Sequence, residues 1–455
     1  MTPIDARMAQ LRGQRKAPPP GPGLAATALG ATAAQPERIL VTDGRRAFSR
    51  RQMLDMALSL GGAMQARGLR RGSVVAFQLP NWWEACVINL ASALFGWRIV
   101  PLLPILRRAE LDHILPACGV EALFIPGQWR GTDHPALVAS LTTQPAHVIA
   151  VRRDGDFEAL LAHPPGTPDP APGDDAKLII FTSGSTGKPK GVIHTHDGMD
   201  ALIGDMAVFW SIGGEDRLHV PSPVAHIGGM LYAFEFPWAT GCIARLDDAW
   251  DPARAVSLID AEGLTFIAGA TPFLQGLIEA AARVGSSLPT LRRFVCGGAS
   301  VPADLVRRGL AQFPHAVVSR AYGSSEVPLI GASGAVAGCV AYASLLYLGY
   351  RVPVAPKVGV SVSGMALLWL GLQGIGAVVR LGESSQGGTA FWTHIAGFLA
   401  GVALALIFRA PKDASLRLGH ETLDAMNVRG PGAALAAAEA ILREHPDDPK
   451  ALRQR

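Results

Sequence analysis

The chain has 455 residues, 49% of them hydrophobic, which is enough for two or three domains with buried cores. Its formal net charge is only +4, and no run of lysine and arginine is interleaved with aromatic residues, which counts against a nucleic-acid-binding protein. The five cysteines stand singly, so neither a zinc site nor a disulfide scaffold is indicated, and a reducing compartment fits best.

The N-terminal part begins with a proline-rich stretch and continues with alternating helix and strand patterns. Residues 1–23 contain no apolar segment of signal-peptide length, so we predict a flexible N-terminus. The next patterns predict a helix over Phe48–Arg67, a strand over Ser73–Leu79 and a helix over Glu84–Phe95. The last helix is apolar nearly all round but too short to cross a bilayer, so we expect it in a core. This alternation predicts a layered α/β architecture, and the proline-rich His163–Asp174 predicts a loop.

The strongest chemical signal is the segment TSGSTGKPKG at residues 182–191, which follows the apolar strand pattern Lys177–Phe181. Its glycines let backbone N–H groups approach phosphate oxygens, its hydroxyls add donors and its lysines balance charge. It is not a GxxxxGK[ST] loop, because Thr182 and Pro189 occupy the first glycine and last hydroxyl positions. A flexible linker is the plainer alternative, but the preceding strand and the two lysines favour triphosphate binding. The residues predicted to contact ATP here are Thr182, Ser183, Gly184, Ser185, Thr186, Gly187, Lys188 and Lys190.

The longer segment TSGSTGKPKGVIHTH resembles the phosphate-loop signature of the AMP-forming adenylating enzymes. This superfamily includes acyl-CoA synthetases, peptide-synthetase adenylation domains and luciferases. Three further stretches are similar to that family in order and spacing, namely Pro223–Gly229, Val295–Ser300 and Ala321–Glu326. The resemblance covers about Leu24–Pro328 and implies an adenylating-enzyme large domain at residues 24–326.

The resemblance also implies roles for individual residues. His226 would border the acyl pocket and contact the substrate, and Glu326 would hold Mg²⁺. The Tyr322 ring would pack on adenine while its hydroxyl touches phosphate, and Ser325 keeps the hydroxyl of the usual threonine. The residues implied to contact ATP are Gly297, Gly298, Ala299, Tyr322, Gly323 and Ser325. Taken alone, His226 could equally be a loop histidine, and Cys296 could be a small core residue.

The implied chemistry is the activation of a carboxylic acid, with ATP, Mg²⁺ and CoA as cofactors. ATP and the acid would give an acyl-adenylate and pyrophosphate, and the acyl group would then pass to a thiol, usually that of CoA. Lysines and Mg²⁺ stabilise the charge that develops on the phosphate groups. The apolar neighbours of His226 and the stretch Ala268–Phe273 predict a hydrophobic acyl or aryl acid as substrate.

After Glu326 the chain departs from the family's pattern. Neither a TGD-like stretch, with an aspartate for the ribose hydroxyls, nor a terminal PKTxxGK-like motif, with a lysine for adenylation, follows. We therefore expect a truncated core with weak ATP binding and little ligase turnover. Only four residues are charged between Val327 and Phe408, and three uncharged runs there exceed the roughly 20 residues needed to cross a bilayer. These runs predict three transmembrane helices, at residues 327–350, 358–379 and 387–408, before a short polar helical tail at residues 410–455.

Two polar residues, Ser333 and His394, fall at similar depths within these predicted spans. A histidine inside a membrane helix indicates function, and a serine within its reach would supply a nucleophile. The residues around them, GASG at 331–334 and HxxGxxxG at 394–401, resemble the last three transmembrane helices of rhomboid intramembrane serine proteases, with Ser333 as nucleophile and His394 as general base. Helix packing is the plainer interpretation of a serine in a glycine-rich span. The first three spans of that six-helix core are missing, so we expect proteolysis to be impaired as well.

The leading prediction is a multi-pass membrane protein in which a truncated acid–CoA ligase core is fused to a partial rhomboid-like domain at residues 327–409. Basic residues lie between the first two spans and after the third, so the positive-inside rule places both regions in the cytoplasm. These residues are Arg351, Lys357, Arg409, Lys412 and Arg417. An odd number of spans then leaves the ligase part outside, although its need for ATP and CoA predicts a cytoplasmic location. Two alternatives stay open: an intramembrane protease that cleaves a transmembrane protein and carries the ligase part as a passenger, or a membrane-tethered nucleotide- or acyl-binding module without catalysis.

Overall fold

The computed structural model describes most of the first 325 residues and short stretches of the remainder. The described residues are 4–5, 8, 21–182, 189–321, 323–325, 341–342, 344–345, 351–355, 358–379, 395, 398–399, 401–403, 405–406, 435, 438–442 and 448–452. The chain forms two compact units, Met1–Leu329 and Ile330–Arg455.

Strands and helices alternate along the first unit, which confirms the predicted layered α/β architecture. The strands are β1 (Ile39–Thr42), β2 (Ala47–Ser49), β3 (Val74–Phe77), β4 (Arg98–Pro101), β5 (Ala122–Pro126), β6 (Gln128–Trp129), β7 (Thr132–Asp133), β8 (His147–Val151), β9 (Ala176–Thr182), β10 (Lys190–Thr195), β11 (Arg217–Val220), β12 (Ile243–Leu246), β13 (Phe266–Gly269), β14 (Arg293–Cys296), β15 (Val317–Arg320), β16 (Arg351–Ala355) and β17 (Val358–Ser361). The helices are α1 (Gly23–Ala34), α2 (Arg50–Ala66), α3 (Trp83–Leu94), α4 (Arg108–Cys118), α5 (His134–Ala139), α6 (Asp156–Leu161), α7 (His196–Trp210), α8 (Ile227–Met230), α9 (Phe236–Thr240), α10 (Pro252–Glu262), α11 (Thr271–Val284), α12 (Ala303–Gln312), α13 (Val362–Val379) and α14 (Pro449–Leu452), with a π-helical turn at Leu231–Glu235.

The first sheet has seven strands in the order β15-β14-β13-β11-β12-β1-β2. Its neighbouring strands are parallel except β1 and β2, which form an antiparallel pair at one edge. Parallel strands bring their carboxyl ends to one edge of a sheet, and ligands bind there in many α/β proteins. Three of the predicted motifs, at His226, Gly297 and Ser325, follow β11, β14 and β15 and therefore share this edge.

The second sheet has six strands in the order β10-β9-β4-β3-β5-β8. Its strands are parallel except for the hairpin β9–β10, which forms one edge. The predicted phosphate loop connects these two strands, since Thr182 ends β9 and Lys190 begins β10. The fourth motif is therefore carried by the edge hairpin of the second sheet.

Helix α3 lies in the apolar core, as its sequence predicts, and each of its 12 residues is buried. The same apolar cluster includes Phe77 of β3 and Leu218 of β11, so one core serves both sheets. The predicted helix over Phe48–Arg67 and the predicted strand over Ser73–Leu79 are confirmed as α2 and β3.

Asn81, two residues before α3, ties the two sheets together through a fully bonded side chain. Its Nδ2 donates to the carbonyl oxygens of Val220 (3.0 Å) and Ser222 (2.9 Å), and its Oδ1 accepts from the N–H of Val224 (2.8 Å). A buried amide with its partners satisfied fixes the geometry around it. The segment that leads from β11 to His226 is therefore held against the second sheet.

A buried ion pair joins β9 to the π-helical turn. Lys177 Nζ lies 2.7 Å from Glu235 Oε2, and the two side chains are only 3% and 4% exposed. Asn89 Nδ2 of α3 donates to the other oxygen of Glu235 at 3.5 Å. Two charges are thus removed from water and compensate each other inside the core.

Glycine at position 61 is required by the close packing of α2 against Phe95, the residue that directly follows α3. A Cβ atom there would lie 1.7 Å from Cε2 of Phe95, whose buried ring stacks on Trp97 at 5.6 Å. Because this ring cannot move away, we expect Gly61→Ala to lower the free energy of unfolding by about 1–3 kcal/mol. Gly30 of α1 has open space at its Cβ position, so Gly30→Ala is a matched control that should be neutral or stabilise by about 0.5–1 kcal/mol. Urea unfolding of both variants measures the difference, and equal stability of the two would contradict the packing argument.

The prediction of a multi-pass membrane protein is wrong. Among the helices in the described part of the chain, none is both long and apolar enough to cross a membrane. The predicted span at 358–379 is divided, because Val358–Ser361 forms β17, which pairs antiparallel with β16, and only the 18 residues Val362–Val379 are helical. A helix of that length rises about 27 Å, less than the roughly 30 Å of a hydrocarbon core. The predicted spans at 327–350 and 387–408 lie mostly outside the described residues.

Candidate functional site

The mouth of the predicted phosphate loop is formed by Thr182 and Lys190, which are directly paired in the hairpin β9–β10. Directly opposite residues of an antiparallel pair place their side chains on the same face. Thr182 is half-buried and Lys190 is exposed. The remaining predicted loop contacts, Ser183 to Lys188, lie outside the described residues.

The predicted adenine-contacting turn follows β14 and needs glycine at two positions. The N–H of Gly297 donates to the carbonyl of Gly269 at 3.1 Å, and a Cβ atom at 297 would lie 2.9 Å from the carbonyl oxygen of Ala321. Gly298 has a φ of +77°, a conformation that favours glycine. Gly298 and Ala299 are exposed. The turn therefore presents its backbone at the carboxyl edge of the first sheet.

The segment after β15 lies beside that turn, because the N–H of Ala321 donates to the carbonyl of Cys296 at 2.8 Å. Within this segment Gly323 is half-buried and Ser325 is buried, while Tyr322 and Glu326 lie outside the described residues. His194 of β10 contacts the same segment, with its Nε2 2.7 Å from the carbonyl oxygen of Ser325. The structure therefore brings the phosphate hairpin, the turn after β14 and the segment after β15 together, although they lie on different sheets.

His226, the residue predicted to border the acyl pocket, is the N-cap of the short helix α8. Its Nδ1 accepts a hydrogen bond from the N–H of Gly228 at 3.1 Å. The residue is accessible, yet desolvation by its neighbours lowers the pKa of His226 below its ordinary value. The ring is therefore neutral near pH 7, and an acceptor at Nδ1 places its proton on Nε2.

The described residues contain no group of three or more His, Cys, Asp or Glu side chains that could hold a metal ion. A Mg²⁺ ion that binds together with phosphate groups needs only one or two carboxylates from the protein. Glu326, which directly follows the buried Ser325 in the sequence, stays the predicted ligand for such an ion.

A polar cleft of about 560 Å³ lies elsewhere on the first unit. Its lining residues follow β1, β3, β8 and β12, strands away from those that carry the nucleotide motifs. Arg152 pairs there with the buried Glu84 at 2.6 Å, and burial raises the pKa of Glu84 although Arg152 opposes this. Arg254 pairs with Asp247 at 3.2 Å. Much of the charge in this cleft is thus already compensated by these two ion pairs.

Two residues near the motifs lie in stretches that the sequence analysis singled out, but they were assigned no role there. Thr271 Oγ1 donates to the carbonyl of Ser300 at 2.9 Å and so holds the turn after β14. His194 contacts Ser325 as described above; it lies inside the segment TSGSTGKPKGVIHTH and alternates with Lys190 and Val192 along β10, but the sequence analysis gave it no role. The predicted protease residues Ser333 and His394 lie outside the described residues, so their pairing stays a prediction.

His196 is the residue directly after β10, and we expect it to make the stability of the fold sensitive to acid. Burial, with a smaller contribution from Lys177, lowers the pKa of His196 to about 3. Below about pH 6.5 the unfolded chain binds a proton that the folded state refuses, so stability falls as pH drops toward 3, by about 1.4 kcal/mol per pH unit. We expect His196→Leu to reduce the pH dependence of the free energy of unfolding by the equivalent of roughly one proton. His315 is exposed, so His315→Gln should leave that dependence unchanged. Urea unfolding between pH 4.5 and 7.5 measures both slopes, and a slope unchanged by His196→Leu would contradict the assignment.

Comparison with known proteins agrees with the arrangement of the motifs. The model of the AMP-binding enzyme family matches residues 30–366. The medium-chain fatty-acid–CoA ligase of Escherichia coli K12 is 31% identical over 311 residues, which are 63% of this chain and 55% of that protein. Feruloyl-CoA synthase of an Amycolatopsis species is 29% identical over 275 residues, 60% of this chain and 54% of that protein. The chain therefore spans about half the length of the curated relatives it matches.

The fold is shared with solved structures as well. A putative long-chain-fatty-acid CoA ligase from Rhodopseudomonas palustris superposes with a TM-score of 0.61 at 21% identity, over 67% of this chain and 76% of that one. These comparisons give no support to the predicted rhomboid-like part, and the family match continues past residue 326, where the adenylating part was predicted to end. Since the match covers most of the chain and the fold agrees, this chain belongs to the AMP-binding enzyme family.

Proposed function

We propose that this chain is the core of an ATP-dependent carboxylic acid:CoA ligase that forms an acyl-adenylate. The observation that carries the proposal is the 2.7 Å contact between His194 and Ser325, which joins the phosphate hairpin to the segment before Glu326. A site for ATP requires phosphate-binding and adenine-binding segments in one place. The family membership and the ligase names of the relatives support the same chemistry.

In the proposed reaction a carboxylate oxygen of the acid attacks the α-phosphorus of ATP, and the bond to pyrophosphate breaks. The CoA thiol then attacks the acyl carbonyl carbon, and AMP leaves. Lys188 and Lys190 would balance phosphate charge, the backbone at Gly297–Ala299 and the Tyr322 ring would position adenine, and Glu326 would hold Mg²⁺. When bound, Mg²⁺ neutralises charge on the phosphate oxygens. His226, with its proton on Nε2, would face the acid as a neutral donor.

We further propose a hydrophobic acyl or aryl acid as substrate. The elements that follow α8 are buried, with Tyr232 of the π-helical turn stacked on Phe236 of α9 at 5.2 Å and packed on Phe266 at 5.4 Å. An acid that binds beside His226 would lie next to this apolar and aromatic region, which favours an apolar chain or ring. The two curated relatives named above act on a medium-chain fatty acid and on ferulate according to their names, so both classes belong in the substrate panel.

The test is acid-dependent exchange of labelled pyrophosphate into ATP by the whole chain, with octanoate and ferulate as probes. Slow exchange that depends on one of these acids, followed by slow thioester formation when CoA is added, is the expected result. ATP binding without exchange or thioester for any acid would contradict the ligase proposal and favour a nucleotide-binding module. An intramembrane protease is not proposed, because its chemistry takes place within membrane spans, and the prediction of a multi-pass membrane protein is wrong.

A further inference from the structure

We propose that His194 is a positioning residue for MgATP, which holds the segment before Glu326 in register with the phosphate hairpin. This inference rests on the proposed binding of ATP at the motif site. It concerns a residue outside the matched ATP contacts, and its basis is the contact that His194 makes across the two sheets.

His194 lies on the same face of β10 as Lys190. Side chains alternate along a strand, so Lys190, Val192 and His194 share one face. The Thr182 side chain, opposite Lys190, shares that face too. Because His194 contacts Ser325, the face that carries Lys190 and Thr182 is the one turned toward the segment after β15. Lys190 and His194 are separated by about 13 Å of strand, which spans the distance from the loop mouth to this contact.

The contact between His194 and Ser325 fixes the main chain at Ser325. The acceptor is a backbone carbonyl, so His194 must donate from Nε2, and the bond holds main chain rather than a mobile side chain. Ser325 is buried and directly precedes Glu326, the predicted Mg²⁺ ligand. The contact joins two residues 131 positions apart, on elements of different sheets. It therefore sets the position of the Ser325 main chain relative to the hairpin that carries Lys190.

A positioning role of His194 can be separated from a contribution to general stability by comparison with a second histidine. His147, which lies on β8 and away from the nucleotide motifs, offers a matched comparison. Its Nε2 lies 3.1 Å from the carbonyl oxygen of Arg67. The loss that the two histidines have in common is a hydrogen bond from an imidazole to a backbone carbonyl. Only the loss at position 194 should change the response to Mg²⁺, since only that contact adjoins the predicted metal ligand.

The experiment measures the dissociation constant of ATP by calorimetry, with Mg²⁺ and with EDTA, for the wild-type chain, His194→Ala, His194→Gln and His147→Ala. We expect His194→Ala to raise the constant about tenfold with Mg²⁺ and less than about twofold with EDTA. His194→Gln keeps an N–H donor at a similar reach and should recover most of the affinity. His147→Ala should bind MgATP like the wild type.

Three results would overturn the proposal: unchanged MgATP affinity in His194→Ala, equal losses with Mg²⁺ and with EDTA, or no recovery in His194→Gln when that variant is folded. Thermal unfolding of each variant checks the last condition. Wild-type chain that binds MgATP but shows no acid-dependent exchange would refute the ligase activity alone, and the affinities would still decide the role of His194. A wild-type chain that does not bind MgATP would refute both.

Discussion

Replacing Lys177 by methionine is expected to lower the free energy of unfolding by about 3–5 kcal/mol. The substitution leaves the Glu235 carboxylate without its cation at a position where the side chain is only 4% exposed. The 3.5 Å contact from Asn89 is a weak substitute for a charge partner. Because the total stability of a domain is about 5–15 kcal/mol, this loss would be a large part of it.

The double variant Lys177→Met/Glu235→Leu supplies the control. It removes both charges and keeps apolar volume in the core, so we expect it to recover most of the stability lost in the single variant. Urea unfolding at 25 °C of the wild type, Lys177→Met, Glu235→Leu and the double variant gives the coupling energy, provided that the dependence on urea concentration is the same in all four. A double variant that is less stable than Lys177→Met would show that the pair is not the source of the effect.

Replacing Lys188 by alanine is expected to slow acid-dependent pyrophosphate exchange by about 10²–10³-fold. The lysine of the predicted phosphate loop would face charge that develops as pyrophosphate departs, and the neutral side chain cannot stabilise it. The same change should raise the dissociation constant of MgATP about tenfold or more, because a charged hydrogen bond is worth about 1.5–3 kcal/mol.

Two companion variants test the charge argument at position 188. Lys188→Arg keeps the positive charge and should lose less activity than Lys188→Ala. Arg51→Ala removes an exposed cation of α2 that pairs only loosely with Glu37, at 3.4 Å, and should leave exchange unchanged. If Lys188→Ala exchanged pyrophosphate within threefold of the wild type, the loop would not be the phosphate site.

Much of the first unit could be predicted because its signals are local. The apolar run at Glu84–Phe95 is too short for a membrane and too apolar for a surface, and it forms the buried α3. The strand that ends at Thr182 could be predicted from its local apolar pattern. The glycines at 297 and 298 indicated a tight turn, and such turns often need the backbone conformations that glycine allows. The contact between His194 and Ser325 could not be predicted, because it depends on how two separate sheets meet.

The membrane prediction failed because hydropathy alone outweighed a weaker signal. Val358, Val360 and Val362 alternate with Gly and Ser, and this period of two, with β-branched residues, favours a strand. The structure forms β17 at its start, with the helix beginning at Val362. A similar limit applies to the π-helical turn at Leu231–Glu235, which no local sequence signal predicted.

The arrangement of the two sheets also determines the order in which they can be completed during synthesis. The six strands of the second sheet, which are β3, β4, β5, β8, β9 and β10, lie within one continuous stretch of the chain between β2 and β11 of the first. Val41 of β1 pairs with Ala244 of β12, which is 203 residues later (244 minus 41). At about 5–20 residues per second, a ribosome needs roughly 10–40 seconds to make the intervening chain. The β1–β2 hairpin therefore emerges first but must wait for its parallel neighbour until every strand of the second sheet has been synthesised.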